Sequence, residues 1–180
     1  MFVQTQITPN PNSLKFIPGK PVSNNGFVEI TNRDETDNEL IRNILSINGV
    51  TGIFLGDDFL SVNKNENTNW EDIKHIVVSF INEFYSNNNG FVFDKNRESK
   101  DNKDLSEIEK QIIQLLETKI RPAVIRDGGD IKFKKFSKGI VEVELQGSCS
   151  GCPSSKLTLK QGVENLLCHY IPDVKEVLAI

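Results

Sequence analysis

The sequence lacks four features that would have assigned the chain to other classes of protein. Its 180 residues contain no internal repeat and no apolar run near the roughly 18 to 20 residues that a membrane span needs. There is no excess of positive charge, because 21 basic and 25 acidic side chains give a net charge of −4. Only three residues are cysteine, an odd number that argues against a secreted disulfide framework. We therefore expect a soluble, globular protein with reduced thiols that neither spans a membrane nor binds nucleic acid.

The sequence also lacks the signs of a targeting segment and of an enzyme. The start, MFVQTQITPNPN, has neither a basic region followed by an apolar one nor an Arg-rich, acid-poor character. This predicts the bacterial cytoplasm, with the mitochondrial matrix as the less favoured alternative. No nucleophile, base and oxyanion constellation is visible, and no phosphate-binding glycine fingerprint appears. We do not expect an enzyme.

What the chain does have is enough apolar material for two small cores. Hydrophobic residues make up 37% of it and charged residues 26%. The segment FDKNRESKDNKDLSE is polar and charged, as solvated linkers are, and it separates a half of net charge −5 (residues 1–95) from a half of +1 (96–180). We predict an α+β fold of two small domains, each a small mixed or antiparallel sheet with packed helices: residues 1–92, a polar linker over 93–106, and residues 107–180.

The hydrophobic periodicity predicts strands and helices in both halves. In the first half the predicted elements are strands Val3–Ile7, Leu14–Ile17 and Phe27–Ile30, a helix capped by Asp37 or Asn38, the hairpin Val50–Leu55 and Phe59–Val62, and helix Trp70–Tyr85. In the second half they are helix Leu105–Ile120, ending at Arg121 and Pro122, strands Ile131–Phe136 and Ile140–Leu145, a helix from Pro153, and strand Val174–Leu178.

The chemistry is concentrated in the segment GSCSGCPSS. Cys149 and Cys152 lie in a turn between a predicted strand and a helix N-terminus, an arrangement that we expect to point both sulfurs outward. The positive end of the helix dipole favours the thiolate, which is the form that binds metals. A pair of thiolates suits an iron-sulfur cluster, zinc or thiol-disulfide exchange. The spacing by itself leaves these alternatives open.

Two thiolates are half of what a cluster or a tetrahedral zinc site needs. The chain offers no second pair, and Cys168 lies about 24 Å further along the helix at 1.5 Å per residue. The economical arrangement is therefore two copies of the chain that share one cluster through Cys149 and Cys152 of each. The rival functions for the same C-x-x-C are a thiol-disulfide oxidoreductase and a zinc-binding adaptor; an unliganded structural pair and a purely structural adaptor are the remaining alternatives.

Several other side chains are better explained by structure than by chemistry. Cys168 is expected to be a buried or half-buried small hydrophobe, and His75 and His169 surface or packing residues, since neither histidine has ligands at metal spacing. Asp127 and Asp130 are expected to cap a turn. Four lysines form a small basic cluster that is expected to be solvated, with steering of acidic recipients as a hypothesis: Lys132, Lys134, Lys135 and Lys138.

Both halves resemble one known family. The run from about Glu107 to Ile180, with RPAVIRDGGDI and VEVELQGSCSGCPSSKLTLKQGVENLLCHYIPDVKEV, resembles the C-terminal domain of NifU that Nfu-type iron-sulfur proteins share. The first half, with TPNPNSLKFIPG, INGVTGIFLGDDFLSV and WEDIK, resembles the N-terminal domain of bacterial and mitochondrial Nfu proteins. It departs from that domain at Glu35–Leu40, where the family often has a Ser-Pro-Leu-Ala-type helix start.

The resemblance implies an iron-sulfur cluster carrier or scaffold. Such a protein holds a labile 4Fe-4S cluster between the two protomers of a homodimer and passes it to apo iron-sulfur proteins, downstream of a cluster-assembly scaffold. On this reading Cys149 and Cys152 are the cluster and metal ligands. The larger NifU proteins carry further cysteine sets for cluster assembly and for a ferredoxin-like domain, and this chain has neither, so we expect transfer and not assembly.

Overall fold

The computed structural model describes residues 2–24, 26–87, 90–94, 105–151 and 153–180, and for residues 153–155 it describes the backbone only. The chain forms two compact units, Met1–Arg97 and Glu98–Ile180. Each unit combines one small sheet with packed helices. This confirms the predicted α+β class.

The first unit is built on a five-stranded sheet in which every neighbouring pair is antiparallel. Its strands are β1 (Gln4–Ile7), β2 (Ser13–Ile17), β3 (Val28–Ile30), β4 (Val50–Leu55) and β5 (Leu60–Lys64). The strand order is β1-β2-β5-β4-β3. The predicted hairpin is present as β4 and β5, and it closes where the Gly56 amide donates to the Phe59 carbonyl at 2.8 Å.

Two α-helices complete the described part of the first unit, α1 (Glu39–Leu45) and α2 (Trp70–Asn87). Asn38 is the N-cap of α1, because its side-chain oxygen accepts from the Ile41 amide at 3.2 Å. Apolar residues of both helices and of the sheet share one core, whose fully buried members include Phe16, Ile41, Ile44, Ile53, Leu55, Leu60, Val62, Val77 and Ile81.

The end of the first unit is tied back to its beginning. The amides of Val92 and Phe93 donate to the Val22 carbonyl at 2.9 and 3.1 Å, and the Asn38 side chain donates to the Val92 carbonyl at 2.7 Å. Asp94 accepts from the Asn24 side chain at 2.6 Å. The hydrogen-bonded part of the unit therefore reaches residue 94. Residues 95–104 of the predicted linker lie outside the described residues, and the limits 1–92, 93–106 and 107–180 stay a prediction.

The second unit begins with a helical run that is longer than predicted. Helix α3 (Glu107–Leu115) starts at a capping box between Ser106 and Glu109, continues through a π-helical segment, Leu116–Ile120, and is followed by α4 (Arg121–Arg126). The prediction that the helix ends at Arg121 and Pro122 is wrong. Pro122 is tolerated because it occupies the first turn of α4, where its missing N–H is not needed.

A three-stranded sheet follows, with β6 (Gly129–Ser137), β7 (Ile140–Gly147) and β8 (Glu176–Ala179) in the order β6-β7-β8. The first pair is an antiparallel hairpin and the second pair is parallel. Helix α5 (Pro153–Tyr170) connects β7 to β8. The core of this unit includes Ile112, Leu116, Val141, Val143, Val163, Leu167 and Val177. Among the helices of the described residues, none combines the length and the apolar character that crossing a membrane requires.

Candidate functional site

Cys149 lies just beyond the end of the β6–β7 hairpin. The last residue pair of this ladder is Gly129 opposite Gly147. Gly147 has a φ of +67°, a backbone conformation that glycine adopts without strain, and the chain leaves the strand there. The motif continues to the undescribed position 152, and α5 then begins at Pro153. The local sequence thus places Cys149 between a strand end and the N-terminal side of a helix, as predicted.

The surroundings of Cys149 are tighter than the sequence indicates. Only 7% of the residue is exposed, and it belongs to the hydrophobic core of the second unit. The prediction that this sulfur points outward is wrong. The cause is a close approach of β6: a Cβ atom on Gly129 would lie 2.8 Å from the Cys149 sulfur and 3.1 Å from the Cys149 nitrogen. Cys149 packs where a side chain at position 129 would otherwise be.

Ser148 joins the motif to a second turn, formed by Asp127 and Gly128. The Ser148 hydroxyl donates to the Asp127 carbonyl at 2.5 Å, and the Ser148 amide donates to the Gly128 carbonyl at 3.1 Å. Gly128 has a φ of +88° and follows the last turn of α4, whose Ile125 carbonyl accepts from the Gly128 amide at 3.0 Å. The end of α4 therefore presents two consecutive carbonyls to the residue that precedes Cys149.

The far side of the motif turn is open. The Ser150 amide and hydroxyl both donate to the Gly147 carbonyl, at 3.1 and 2.8 Å. Gly151 is exposed, and a Cβ atom there would meet nothing within 4 Å. The turn is thus fixed to the protein through Ser148 and Cys149 and is accessible at Gly151.

A partly buried ion pair supports the same corner of the unit. Asp130 is fully buried, and its carboxylate accepts two hydrogen bonds from the Arg121 guanidinium, at 2.8 and 3.1 Å, and one from the Ile131 amide at 2.8 Å. Glu117 also pairs with Arg121, at 2.8 Å. The hydrogen bond with Asp130 is the main cause that raises the pKa of Arg121 above its usual value. This fork-shaped pairing fixes the start of α4 to the start of β6.

The predicted site residues have different outcomes. Cys149 is part of the anchored turn described above, whereas Cys152 lies outside the described residues. Cys168 is half-buried against the core near the end of α5, as predicted. Because α5 is continuous, Cys168 lies about 22 Å along the helix axis from Pro153. Within the described ranges, no group of three or more His, Cys, Asp or Glu side chains is arranged to hold a metal ion.

The remaining candidates are structural in the described part of the chain. His75 is exposed, with Nδ1 3.3 Å from the Glu71 carbonyl, and His169 is exposed beside the Tyr170 ring, at 5.0 Å between centroids. Asp130 is an ion-pair partner in β6 and not a turn cap, so that prediction is wrong for this residue; the backbone carbonyl of Asp127 receives the Ser148 hydroxyl.

The lysine cluster is partly neutralised by its own sheet. Lys134 forms an ion pair with Glu144 on the neighbouring strand. The hydrogen bond from Lys134 is the first cause that lowers the pKa of Glu144, and the charge of Lys132 acts in the same direction. Lys135 stands opposite Glu142 in the register of β6 and β7. These contacts agree with the expected solvated face of mixed charge.

Two features of the site were not predicted from the sequence. The pairing of Arg121 with Asp130 was not predicted, because DGGD is typical of a turn. In the structure β6 already begins at Gly129, so Asp130 belongs to a strand. The anchoring role of Ser148 was hidden because small polar residues around a cysteine pair are typical of any exposed turn. The one sequence signal for both was the concentration of glycines at 128, 129 and 147, which permits close backbone approach.

Known proteins resemble both units. Residues 3–88 match the family described as "Scaffold protein Nfu/NifU N terminal", and residues 112–178 match the "NifU-like domain". "NifU-like protein 4, mitochondrial" of Arabidopsis thaliana is 44% identical over 184 residues, which cover 98% of this chain and 65% of that protein. The human "NFU1 iron-sulfur cluster scaffold homolog, mitochondrial" is 43% identical over 180 residues, covering 98% and 71%. The chain thus spans about two thirds of the length of these curated relatives.

Solved structures that match the chain cover about half of it. The solution NMR structure of a NifU-like protein from Saccharomyces cerevisiae has 29% identity and a TM-score of 0.48, and the match covers 53% of this chain and 87% of that one. The crystal structure of SAV1430 from Staphylococcus aureus has 30% identity and a TM-score of 0.41, covering 44% and 98%.

Proposed function

The chain belongs to the Nfu family of NifU-like proteins, and from this premise we propose that it is an iron-sulfur cluster carrier. Its cargo is a 4Fe-4S cluster held between two copies of the chain, with Cys149 and Cys152 of each copy as ligands, and it hands this cluster to apo iron-sulfur proteins. The human relative is named a cluster scaffold, and a scaffold binds and delivers its cargo without turning over a substrate. The proposal therefore assigns the chain no enzymatic activity.

The observation that carries the proposal is the fixed position of Cys149. Its backbone follows an anchored residue, its sulfur is packed against Gly129, and the turn is open at Gly151. A thiolate held in this way keeps its position when a cluster leaves, whereas an unanchored turn would have to be ordered again for each new cargo. The donor chemistry fits, because thiolate is the common protein ligand of iron-sulfur clusters.

A site shared by two copies also provides a route for release. Separation of the protomers removes half of the ligands, and thiolates of an acceptor then replace those of the donor one at a time. Each acceptor thiol that binds iron releases a proton, and each freed donor thiolate takes one up, so the exchange needs no oxidant or reductant. Recipients with exposed cysteine ligands and an upstream assembly scaffold are the partners that this step requires.

Anaerobic reconstitution with iron and sulfide tests the proposal. We expect about four irons and four sulfides per dimer, with a doubling of the molecular mass on loading. Cys149→Ser and Cys152→Ser should lose the cluster, whereas the matched control Cys168→Ser should retain it, because Cys168 is at the other end of α5. Equal loss in all three variants would contradict the ligand assignment.

The same experiment separates the rival functions. A chain that remains monomeric, takes up no iron and cycles readily between a Cys149–Cys152 disulfide and two thiols would be a thiol-disulfide oxidoreductase. Zinc in place of iron in the purified protein, measured by metal analysis, would indicate the zinc-binding adaptor. The motif follows β7, which is the second strand of the antiparallel hairpin and also the first strand of the parallel unit β7–α5–β8. Because a C-x-x-C beside a βαβ unit is also typical of thioredoxin-like proteins, the distinction between carrier and oxidoreductase rests on this experiment.

The names of the relatives also bear on the compartment. Both the plant and the human relative are called mitochondrial, which supports the mitochondrial matrix, the less favoured of the two compartments expected from the sequence. Neither relative gives support to the bacterial cytoplasm. Detection of the protein in mitochondrial or in cytosolic fractions of its source cells decides between them.

A further inference from the structure

Ser148 makes two hydrogen bonds that connect the motif turn to the end of α4. Its hydroxyl and its amide donate to the consecutive carbonyls of Asp127 and Gly128, at 2.5 and 3.1 Å. Ser148 is 2% exposed, so its own donor groups are shielded from water, and the bond to the Asp127 carbonyl is partly buried. A buried carbonyl that loses such a donor costs more than the bond itself is worth, because its desolvation is no longer compensated.

These bonds continue the sheet past its last ladder pair. The register of β6 and β7 ends at Gly129 and Gly147. Beyond this pair the chain turns, and the ladder no longer determines where the next residues lie. The Ser148 side chain supplies the missing connection, since it reaches the carbonyl of a residue 21 positions earlier in the chain.

The hydroxyl also lies beside the sulfur that it helps to place. The Ser148 oxygen is 3.9 Å from the Cys149 sulfur, and Gly129 limits that sulfur from the other strand. The Ser150 hydroxyl, by contrast, donates to the Gly147 carbonyl within the same turn, a bond that shapes the turn without connecting it to α4.

We propose that Ser148 is the positioning residue of the site: its side chain fixes Cys149 to the Asp127–Gly128 turn and thereby keeps the ligand sulfur in place when the cargo is absent. This inference rests on the proposed function for the identity of the cargo. The anchoring itself is a property of the apo chain and is measured without cargo.

The first test is hydrogen exchange of the full apo chain, with Ser148→Ala, Ser148→Thr and the control Thr118→Ala. Thr118 also donates its hydroxyl to a helix carbonyl, that of Gln114 at 2.7 Å, but on an exposed turn of the π-helical segment. We expect amides of residues 146–151 to exchange about tenfold faster in Ser148→Ala, the effect of losing a buried hydrogen bond. Ser148→Thr keeps the hydroxyl and should restore the protection, and Thr118→Ala should leave it unchanged.

Iron retention is the second readout. After reconstitution, Ser148→Ala should lose iron to a chelator about tenfold faster than the wild type, with Ser148→Thr close to the wild type. Unchanged exchange and unchanged iron loss in Ser148→Ala would overturn the inference and leave the proposed function intact. A wild-type chain that binds no iron would overturn the proposed function, while the exchange data would still decide the role of Ser148. If Ser148→Ala does not fold, the wild type alone decides: a Ser148 amide that exchanges as fast as in an unstructured peptide would refute the anchor.

Discussion

Replacement of Gly129 by alanine tests whether Cys149 is packed as tightly against β6 as the structure shows. The added Cβ would lie 2.6 Å from the Gln146 carbonyl oxygen, 2.8 Å from the Cys149 sulfur and 3.1 Å from the Cys149 nitrogen. Two of these three atoms belong to the backbone, so no side-chain rotation relieves the clash. Either the hairpin opens at this end or Cys149 is displaced.

The expected change in the free energy of unfolding follows from two opposing effects. The backbone of Gly129 has no positive φ, so alanine can adopt its backbone conformation, and restriction of the unfolded chain should stabilise the protein by about 0.4 to 1 kcal/mol. Overpacking of a rigid site costs about 1 to 3 kcal/mol. We therefore expect Gly129→Ala to lower the free energy of unfolding of the second unit by about 1 to 2 kcal/mol.

The assay must report on the two units separately. The only tryptophan, Trp70, belongs to the first unit, so its fluorescence in urea follows that unit. Native-state hydrogen exchange of the β6 and β7 amides follows the second unit. Gly129→Ala should lower the protection of these amides and leave the Trp70 transition unchanged, and the iron bound after reconstitution should fall with it.

Gly162→Ala is the matched control. Gly162 lies inside α5, and a Cβ atom there would meet nothing within 4 Å. Alanine should stabilise this helix by about 0.5 to 1 kcal/mol. Replacement of glycine by alanine should thus destabilise the second unit at position 129 and stabilise it at position 162. If Gly129→Ala is as stable as the wild type, or if both variants are destabilised alike, the packing of Gly129 against Cys149 is refuted.

Two further predictions concern buried polar groups. Arg121→Met leaves the fully buried Asp130 carboxylate without its cation and should destabilise the second unit by about 3 kcal/mol, measured by the same amide protection; an effect below about 1 kcal/mol would contradict the importance of the pair. Burial raises the pKa of Tyr85 to about 12, from 10.0, and its hydroxyl donates to the Pro21 carbonyl at 2.8 Å. Because the unfolded chain loses this proton first, the stabilisation is complete below pH 10 and is lost as the pH rises towards 12. The urea midpoint of Trp70 fluorescence should fall over this range in the wild type and less in Tyr85→Phe, and parallel curves would refute the assignment.

Sequence patterns predicted the elements whose cause is local. The hairpin of β4 and β5 and the helix α2 follow from alternating and helical apolar spacing, and Asn38 was one of two candidate caps for α1. The continuation of the helix through Pro122 was not predictable in the same way. It runs through the π-helical segment, which carries no distinctive residue pattern, and Arg121 at the start of α4 pairs with Asp130.

The sequence shows which cysteines form the candidate site but not how they are packed. The two-residue spacing of Cys149 and Cys152 is visible in the sequence, and so is the absence of a second pair. The burial of Cys149 was not, because the atoms that surround it belong to Gly129, which looks like a turn residue in the sequence. The residues around Cys149 in the chain are glycines and serines, which are typical of exposed turns.

The position of the Cys149 sulfur is therefore encoded about twenty residues before the motif that carries it. Asp127 and Gly128 offer the carbonyls that hold Ser148, and Gly129 leaves the space that Cys149 fills. Asp127 and Gly128 contribute through backbone carbonyls, which every residue has. Only the contribution of Gly129 depends on the residue type, because it requires the absence of a Cβ atom. Substitutions in this upstream segment should then impair the site without replacing a cysteine. The size of their effect should follow the displacement of Cys149 and not the change in charge of the segment. This correlation separates a positioning defect from an electrostatic one.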